Sequence, residues 1–273
     1  MEKKLIASLI LNVVMFLILC SIVYYKRDGI KKKITRLFPK EIVSEKDLKQ
    51  FNKEPYSFGN GRIDIGSEQT IKMLFLGNSL TYTSAPEEEA DKELRGLTAT
   101  SKDKDYVHQL MKMISENKNV NIDYSVVNIA AFERNFSRTE FDYRQLEKVE
   151  IGEPDYLIVQ IGENISCEDM KNYGEELETK YAELVRKFPK AIKIVCLPFW
   201  PDKEKINRMT NIAVTNNCFL IDLSHLGSGI DELNFASSYK KYKQPGVGAH
   251  PGDYGMENIA KNIYTVINST LKK

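Results

Sequence analysis

Ile71-Lys72-Met73-Leu74-Phe75-Leu76-Gly77-Asn78-Ser79-Leu80-Thr81 is an apolar run that stops at a glycine. Met73-Leu74-Phe75-Leu76 is short, bounded and bulky, which predicts a buried strand. Gly77 lets the chain turn sharply at the strand end. In open parallel α/β sheets, sites form outside the carboxyl ends of the strands. Ser79 therefore stands where a nucleophile would be presented. Asn78-Ser79 also has the composition of a helix cap, and this stretch by itself does not separate the two readings.

Downstream the pattern alternates. Strands are predicted at 71–76, 122–128, 156–161, 192–197 and 219–222, and helices at 105–117, 139–149, 168–188, 203–216 and 253–271. Strands alternating with helices imply βαβ units: a five-stranded parallel sheet with helices on both faces. Phe58-Gly59-Asn60-Gly61 reads as a turn leading into this domain.

Over 273 residues the composition is 42% hydrophobic and 28% charged, which excludes a disordered chain and a polytopic membrane protein. The net charge of +1 is unevenly spread. Residues 1–36 carry eight Lys/Arg against two acidic side chains, net +6, which leaves −5 for the rest. Basic character is confined to the amino end, so no nucleic-acid partner is expected. Cys20, Cys167, Cys196 and Cys218 show no C-x-x-C and no regular spacing. Neither a metal site nor a disulfide framework is expected, and Cys196 and Cys218 read as buried free thiols.

Residues 5–25, LIASLILNVVMFLILCSIVYY, run 21 positions without a charge, long enough to span a bilayer. Tyr24-Tyr25 and Lys26-Arg27 read as interfacial anchors. A cleaved signal peptide is the competing reading, weakened by the length of the run and the lack of a small-residue cleavage site after it. The expected organisation is a single-pass transmembrane anchor at 1–25, a basic juxtamembrane tether and lead-in at 26–70, and a domain at 71–273.

Three histidines are available as a general base. His108 lies on a predicted helix far before the strand ends and reads as a packing residue. His225 follows the fifth strand and stays a candidate. His250 sits in Gly246-Val247-Gly248-Ala249-His250-Pro251-Gly252-Asp253, a loop held by a proline at the start of the last helix. A histidine fixed this way suits a base that meets a serine from another loop; a structural histidine is the alternative. Gln160-Ile161-Gly162-Glu163-Asn164, past the third strand, offers the Asn164 amide to an oxyanion, with Gly162 allowing close approach. A plain turn is the alternative there.

In order along the chain, G-N-S-L at 77–80, G-E-N at 162–164 and H-P-G-D-x-G-M at 250–256 resemble the SGNH, or GDSL-like, hydrolase family. The resemblance covers residues 71–273, and 250–260 is its most specific part. Lys104-Asp105-Tyr106-Val107-His108 and Asn128-Ile129-Ala130-Ala131-Phe132-Glu133-Arg134-Asn135 look like a bacterial branch of that family. The resemblance implies a flavodoxin-like three-layer sandwich and ester chemistry without a cofactor. Ser79 would be the nucleophile, His250 its base, and Ser79 N–H and Asn164 the oxyanion donors. Asn78, Gly162, Glu133 and Ala131 would line the oxyanion pocket. The implied substrate is an acylated carbohydrate, such as an O-acetylated surface glycan. Anchored relatives imply a domain outside the membrane, although the Lys/Arg after the span favour the cytoplasmic side.

The chain departs from the family twice. The glycine that usually follows the second strand as an oxyanion donor is missing from 128–135, so a backbone N–H of that turn, such as that of Glu133, must serve. The Glu133 side chain is expected either in an exposed salt bridge or pointing into the site, paired with Arg134 or a substrate hydroxyl. The aspartate usually found three residues before the histidine is Val247. A backbone carbonyl, such as that of Val247, is then expected to orient the ring, which predicts a slower enzyme. A serine esterase is the leading expectation. An O-acyltransferase, which shares the acyl-enzyme, is the second, and a binding protein with a relict site the third.

Overall fold

The run Met73-Leu74-Phe75-Leu76 is the middle of a strand buried on both faces. It belongs to β2 (Thr70–Gly77). Met73 and Phe75 enter one apolar core, Leu74 and Leu76 the other. Apolar side chains on both faces are what a central parallel strand requires. The computed structural model describes residues 58–86, 93–137, 146, 149 and 151–272.

The other parallel strands are β3 (Asn121–Asn128), β4 (Tyr156–Gln160), β5 (Ile192–Cys196) and β6 (Phe219–Ile221). The helices are α1 (Tyr106–Lys118), α2 (Ala130–Asn135), α3 (Cys167–Arg186), α4 (Lys203–Thr215), α5 (Pro245–Gly248) and α6 (Asp253–Thr270). The long helices begin where the sequence offers a side-chain oxygen to a first-turn N–H. Asp105 caps α1, Ser166 caps α3, and Asp202 caps α4 as expected. Buried residues of α1 and α6 complete the core on one face of the sheet; those of α2, α3 and α4 complete the other. The result is three layers, with the sheet in the middle.

The expected count of five parallel strands is corrected to a mixed sheet of six, in the order β1-β3-β2-β4-β5-β6. Its five parallel strands follow the flavodoxin-like order. The sixth, β1 (Phe58–Ile63), is an antiparallel edge strand, with Phe58 opposite Val127 and Ile63 opposite Ile122. Its Gly59-Asn60-Gly61 has turn composition, which is why it reads as a turn. The glycines serve packing instead: the Tyr82 and Tyr124 hydroxyls lie within 2.5 Å of where their Cβ atoms would be.

The expected anchor at 5–25, residues 26–57 of the tether, and most of the helix expected at 139–149 lie outside the described residues. Among the described residues no helix is long and apolar enough to cross a membrane.

Strand register does the positioning. Gly77 pairs with Asn128 on one side and with Gln160 on the other. The segments after β2, β3 and β4 therefore leave the same sheet edge side by side. Gly77 ends β2 because the chain folds straight back. A Cβ there would sit 1.8 Å from Thr81 Oγ1 and 2.5 Å from Thr81 Cβ. Thr81 cannot yield easily, because its hydroxyl is fully buried against Tyr106 Oη at 2.9 Å. Gly77→Ala is expected to lower stability by about 1–3 kcal/mol, the usual cost of overpacking. Urea denaturation measures this, and an unchanged midpoint would show that the turn has room.

Candidate active site

Asn78 shapes the turn that holds Ser79. Its carbonyl accepts from Thr81 N and Tyr82 N, both at 3.0 Å, and its Oδ1 accepts from Leu80 N at 3.1 Å. The segment is a tight turn, and no helix follows for Asn78-Ser79 to cap. Leu97 N donates to the Ser79 carbonyl at 2.9 Å and fixes the turn from outside. The Ser79 hydroxyl is left facing His250, with Oγ 3.1 Å from Nε2.

The other ring nitrogen of His250 decides the direction of that bond. Nδ1 lies 2.8 Å from the Gly246 carbonyl, which can only accept. Nδ1 therefore carries the proton, and Nε2 turns a lone pair to the Ser79 hydroxyl. The expected Val247 carbonyl is not the ring's partner. It accepts from His250 N at 3.0 Å, closing the α5 turn, and this brings Gly246 under the ring. Among the described residues no carboxylate bonds this ring.

The loop is pinned on all sides. Ala236 N donates to the His250 carbonyl at 2.8 Å, Thr98 Oγ1 to the Pro251 carbonyl at 2.9 Å, and Trp200 Nε1 to the Ala249 carbonyl at 3.2 Å. The Trp200 and His250 rings meet edge to face, with centroids 5.0 Å apart. Burial lowers the His250 pKa below its ordinary 6.5, against the opposing pull of the Gly246 and Val247 backbone bonds.

His108 is a packing residue, as expected. Its Nδ1 lies 2.8 Å from Asp105 Oδ1, and its Nε2 lies 3.3 Å from Tyr124 Oη. His225 is exposed on the loop that follows β6, and the ring that meets Ser79 is that of His250.

Glu133 is fully buried, so the exposed pair does not hold, and its side chain turns into the site. Its Oε1 accepts from Gly162 N at 2.5 Å, Asn164 N at 3.2 Å and Asn78 Nδ2 at 3.2 Å; its Oε2 accepts from Asn164 Nδ2 at 2.7 Å. Gly162 reaches this carboxylate because its φ of +129° aims its N–H inward, a conformation other residues rarely adopt. A Cβ there would also meet Pro198 at 2.7 Å. Asn164 keeps its second amide hydrogen for another acceptor.

A second carboxylate stands beside the first. Glu163 Oε2 accepts from Asn78 Nδ2 at 2.6 Å, and its Oε1 accepts from Gln160 Nε2 at 2.6 Å and Phe199 N at 2.8 Å. The Asn78 amide thus bridges two carboxylates. Desolvation, and then repulsion from Glu163, raise the Glu133 pKa from 4.5 to about 7, outweighing the N–H donors that favour its ionised form.

α2 also corrects the backbone donor. Glu133 is the fourth residue of this helix, a position whose N–H points back along the helix toward the carbonyl four residues earlier. In the first turn, Ala130 N donates to Asn128 Oδ1 at 2.9 Å and Phe132 N to the Ile129 carbonyl at 2.8 Å. Ala131 N–H is the first-turn donor left over among the described residues.

The structure thus gathers Ser79, His250, Asn78, Gly162, Asn164, Glu133 and Ala131 at one sheet edge. Sequence reasoning missed Glu163 as a partner of Asn78, and Gly246 as the support of His250. Among the described residues no group of three or more His, Cys, Asp or Glu side chains could hold a metal ion.

No family model and no curated protein matches the chain. Solved structures with some likeness include a lipase/acylhydrolase from Enterococcus faecalis, 19% identical, covering 74% of this chain and 97% of its own, with a TM-score of 0.48. A psychrotrophic esterase from a Pseudoalteromonas species is 15% identical over 72% of this chain and 97% of its own, TM-score 0.46. A two-domain esterase active on acetylated mannans is 14% identical over 74% of this chain and 50% of its own, TM-score 0.48. At such identities and scores these likenesses carry neither activity nor substrate over to this chain.

The raised Glu133 pKa has a consequence for stability. Between pH 4.5 and about 7 the folded chain keeps a proton that the unfolded chain has released. The contribution of this group is therefore most favourable at low pH and is lost as pH rises through 7. Urea unfolding of wild type and Glu133→Gln at pH 5 and pH 8 should show any wild-type advantage shrinking toward pH 8. An advantage that grows toward pH 8 would mean that the N–H donors outweigh desolvation.

Proposed function

We propose that the chain is a serine esterase. The observation that carries this reading is the Ser79 Oγ to His250 Nε2 contact of 3.1 Å, with Nδ1–H tied to the Gly246 carbonyl. A hydroxyl facing an unprotonated imidazole nitrogen is the arrangement of an activated nucleophile. The lowered His250 pKa supports it, because the base form is then present at neutral pH.

In this mechanism Ser79 Oγ attacks the ester carbonyl as His250 Nε2 takes the hydroxyl proton. The tetrahedral oxyanion is held by Ser79 N–H, Ala131 N–H and the second Asn164 amide hydrogen. As the C–O bond to the alcohol breaks, His250 returns the proton to the leaving alkoxide. Water, deprotonated by the same imidazole, then releases the acyl group and restores Ser79. The imidazolium leans on a carbonyl, which supports its charge less well than a carboxylate, so turnover is slow for a serine esterase.

The substrate in this reading is a short acyl ester on a carbohydrate. The SGNH-like motif order supports it, as does the half-buried indole of Trp200 beside His250, an aromatic surface suited to a sugar ring. The uncharged run at 5–25 supports a membrane anchor, and the resemblance to anchored relatives supports a catalytic domain that works outside the membrane on a surface glycan.

A fluorophosphonate probe should label the wild-type chain and fail on Ser79→Ala. His250→Ala should lower the rate of p-nitrophenyl acetate hydrolysis by about 10³-fold or more. A folded wild type that takes up no probe would overturn the esterase reading. Acetate release from acetylated oligosaccharides, with and without a sugar acceptor, then separates hydrolysis from acyl transfer.

A further inference from the structure

The buried carboxylate of Glu133 holds no position in the acyl-transfer chemistry, yet every polar atom turned toward it belongs to a segment that does. Asn78 precedes the nucleophile, and Gly162 and Asn164 form the turn that carries the oxyanion amide. All four partners are N–H donors. An ionised carboxylate, which only accepts, satisfies all of them. A protonated one does so less well. Oε1 is filled by three donors, so a proton must go to Oε2, where the Asn164 amide already points its own hydrogen. The hydroxyl formed there still accepts through its remaining lone pair, but as a neutral and weaker acceptor, and its hydrogen meets only N–H donors among these partners, so the hold on the amide slackens.

We propose that Glu133 is the positioning residue of the oxyanion site: its ionised carboxylate aims the Asn164 amide at the ester carbonyl, and its protonation loosens that hold. This rests on the reading of Ser79 and His250 as an acyl-transfer pair.

The surroundings fix how the proton is shared. Glu163, on the turn after β4, is the acidic neighbour, joined to Glu133 through the Asn78 amide. Tyr181 of α3 senses the charge of both carboxylates, and its hydroxyl is buried without a hydrogen-bond partner. Cys196 of β5 is held neutral by burial, with Glu163 adding to the effect. Tyr106 of α1 is likewise held neutral by burial, despite its bond to Thr81. Lys205 of α4 places Nζ 3.4 Å from the Glu163 carbonyl, and Arg134 is the next residue on α2. Glu133 thus titrates near neutrality in a nearly closed polar cluster. The acid side of the rate profile then reflects two groups: Glu133 near pH 7, and His250 below 6.5.

The test uses the full chain and three proteins: wild type, Glu133→Gln and Glu163→Gln. With p-nitrophenyl acetate, the wild-type acid limb of kcat should have its midpoint near pH 7. Glu163→Gln should move that midpoint to lower pH, because the charge that keeps a proton on Glu133 is gone. Glu133→Gln should lose this limb, keep only the one below 6.5, and lower kcat by about 100-fold with KM little changed, as expected when an oxyanion donor is misplaced. Profiles that superimpose in all three proteins would overturn the proposal. A second readout does not need activity. The side-chain amide signals of Asn164, followed by ¹⁵N–¹H NMR, should shift with pH near 7 in wild type and stay still in Glu133→Gln. Static signals in the wild type would overturn the clamp. A wild type that neither hydrolyses the ester nor takes up fluorophosphonate would sink the esterase reading alone, leaving the NMR titration to decide the role of Glu133.

Discussion

The carboxylate of Glu133 is the knot that ties the sheet edge together. Burying it removes a charged group from water, a cost of several kcal/mol unless protein donors replace the lost solvent. Four N–H contacts from three residues do so. Those residues come from the ends of β2 and β4, and the carboxylate itself comes from the helix after β3. A side chain of one element thus fixes the relative positions of two others. The network continues outward through Glu163, Gln160 and Thr81 to the Tyr106 hydroxyl of α1. Such a network is useful only when every member is paired, because a half-satisfied buried polar cluster costs more than an apolar one. Rigidity here is a by-product of satisfying a buried charge.

The fold supplies the rest through register. A parallel sheet presents all its carboxyl ends at one edge, and the pairing of Gly77 with Asn128 and Gln160 brings three motifs far apart in sequence into contact. His250 arrives differently. It comes from a loop before α6 and is held by bonds to Ala236, Thr98 and Trp200 rather than by the sheet. Ser79 and the turn carrying Asn164 therefore belong to the sheet frame, while His250 is seated on it from a separate loop.

What could be read from the sequence follows from how local each feature is. β2 and α4 are legible because an apolar run and a capping residue act within a few positions. Ser79, Asn164 and His250 are legible because each lies in a short motif at a strand end or helix start. β1 was not: its Gly59-Asn60-Gly61 has turn composition, and only pairing with β3 makes it a strand. Nor was the burial of Glu133. A glutamate beside an arginine on a short helix looks solvated, and only donors from Asn78 and from a turn 29–31 residues further on make an interior position tolerable. The choice of Gly246 over Val247 as the support of His250 depended on a single turn of helix closing in the loop. In each case the deciding partner was distant in sequence or lay in backbone geometry that side-chain identity does not encode.

In the proposed mechanism, the absence, among the described residues, of a carboxylate bonded to His250 and the presence of one bonded to Asn164 belong in one account. Where an aspartate orients the histidine, negative charge sits on the base side and stabilises the imidazolium as it forms. Here Val247 leaves only a carbonyl on that side. The buried negative charge instead lies behind the oxyanion donors, where it polarises the Asn164 N–H bonds but also opposes negative charge growing on the substrate oxygen. The two effects have opposite sign. Orientation of the amide dominates at hydrogen-bond distance, and the charge penalty is tempered because Glu133 titrates near neutrality rather than staying ionised throughout. In that mechanism the site gains an aimed donor at the expense of electrostatic support on both sides of the reaction.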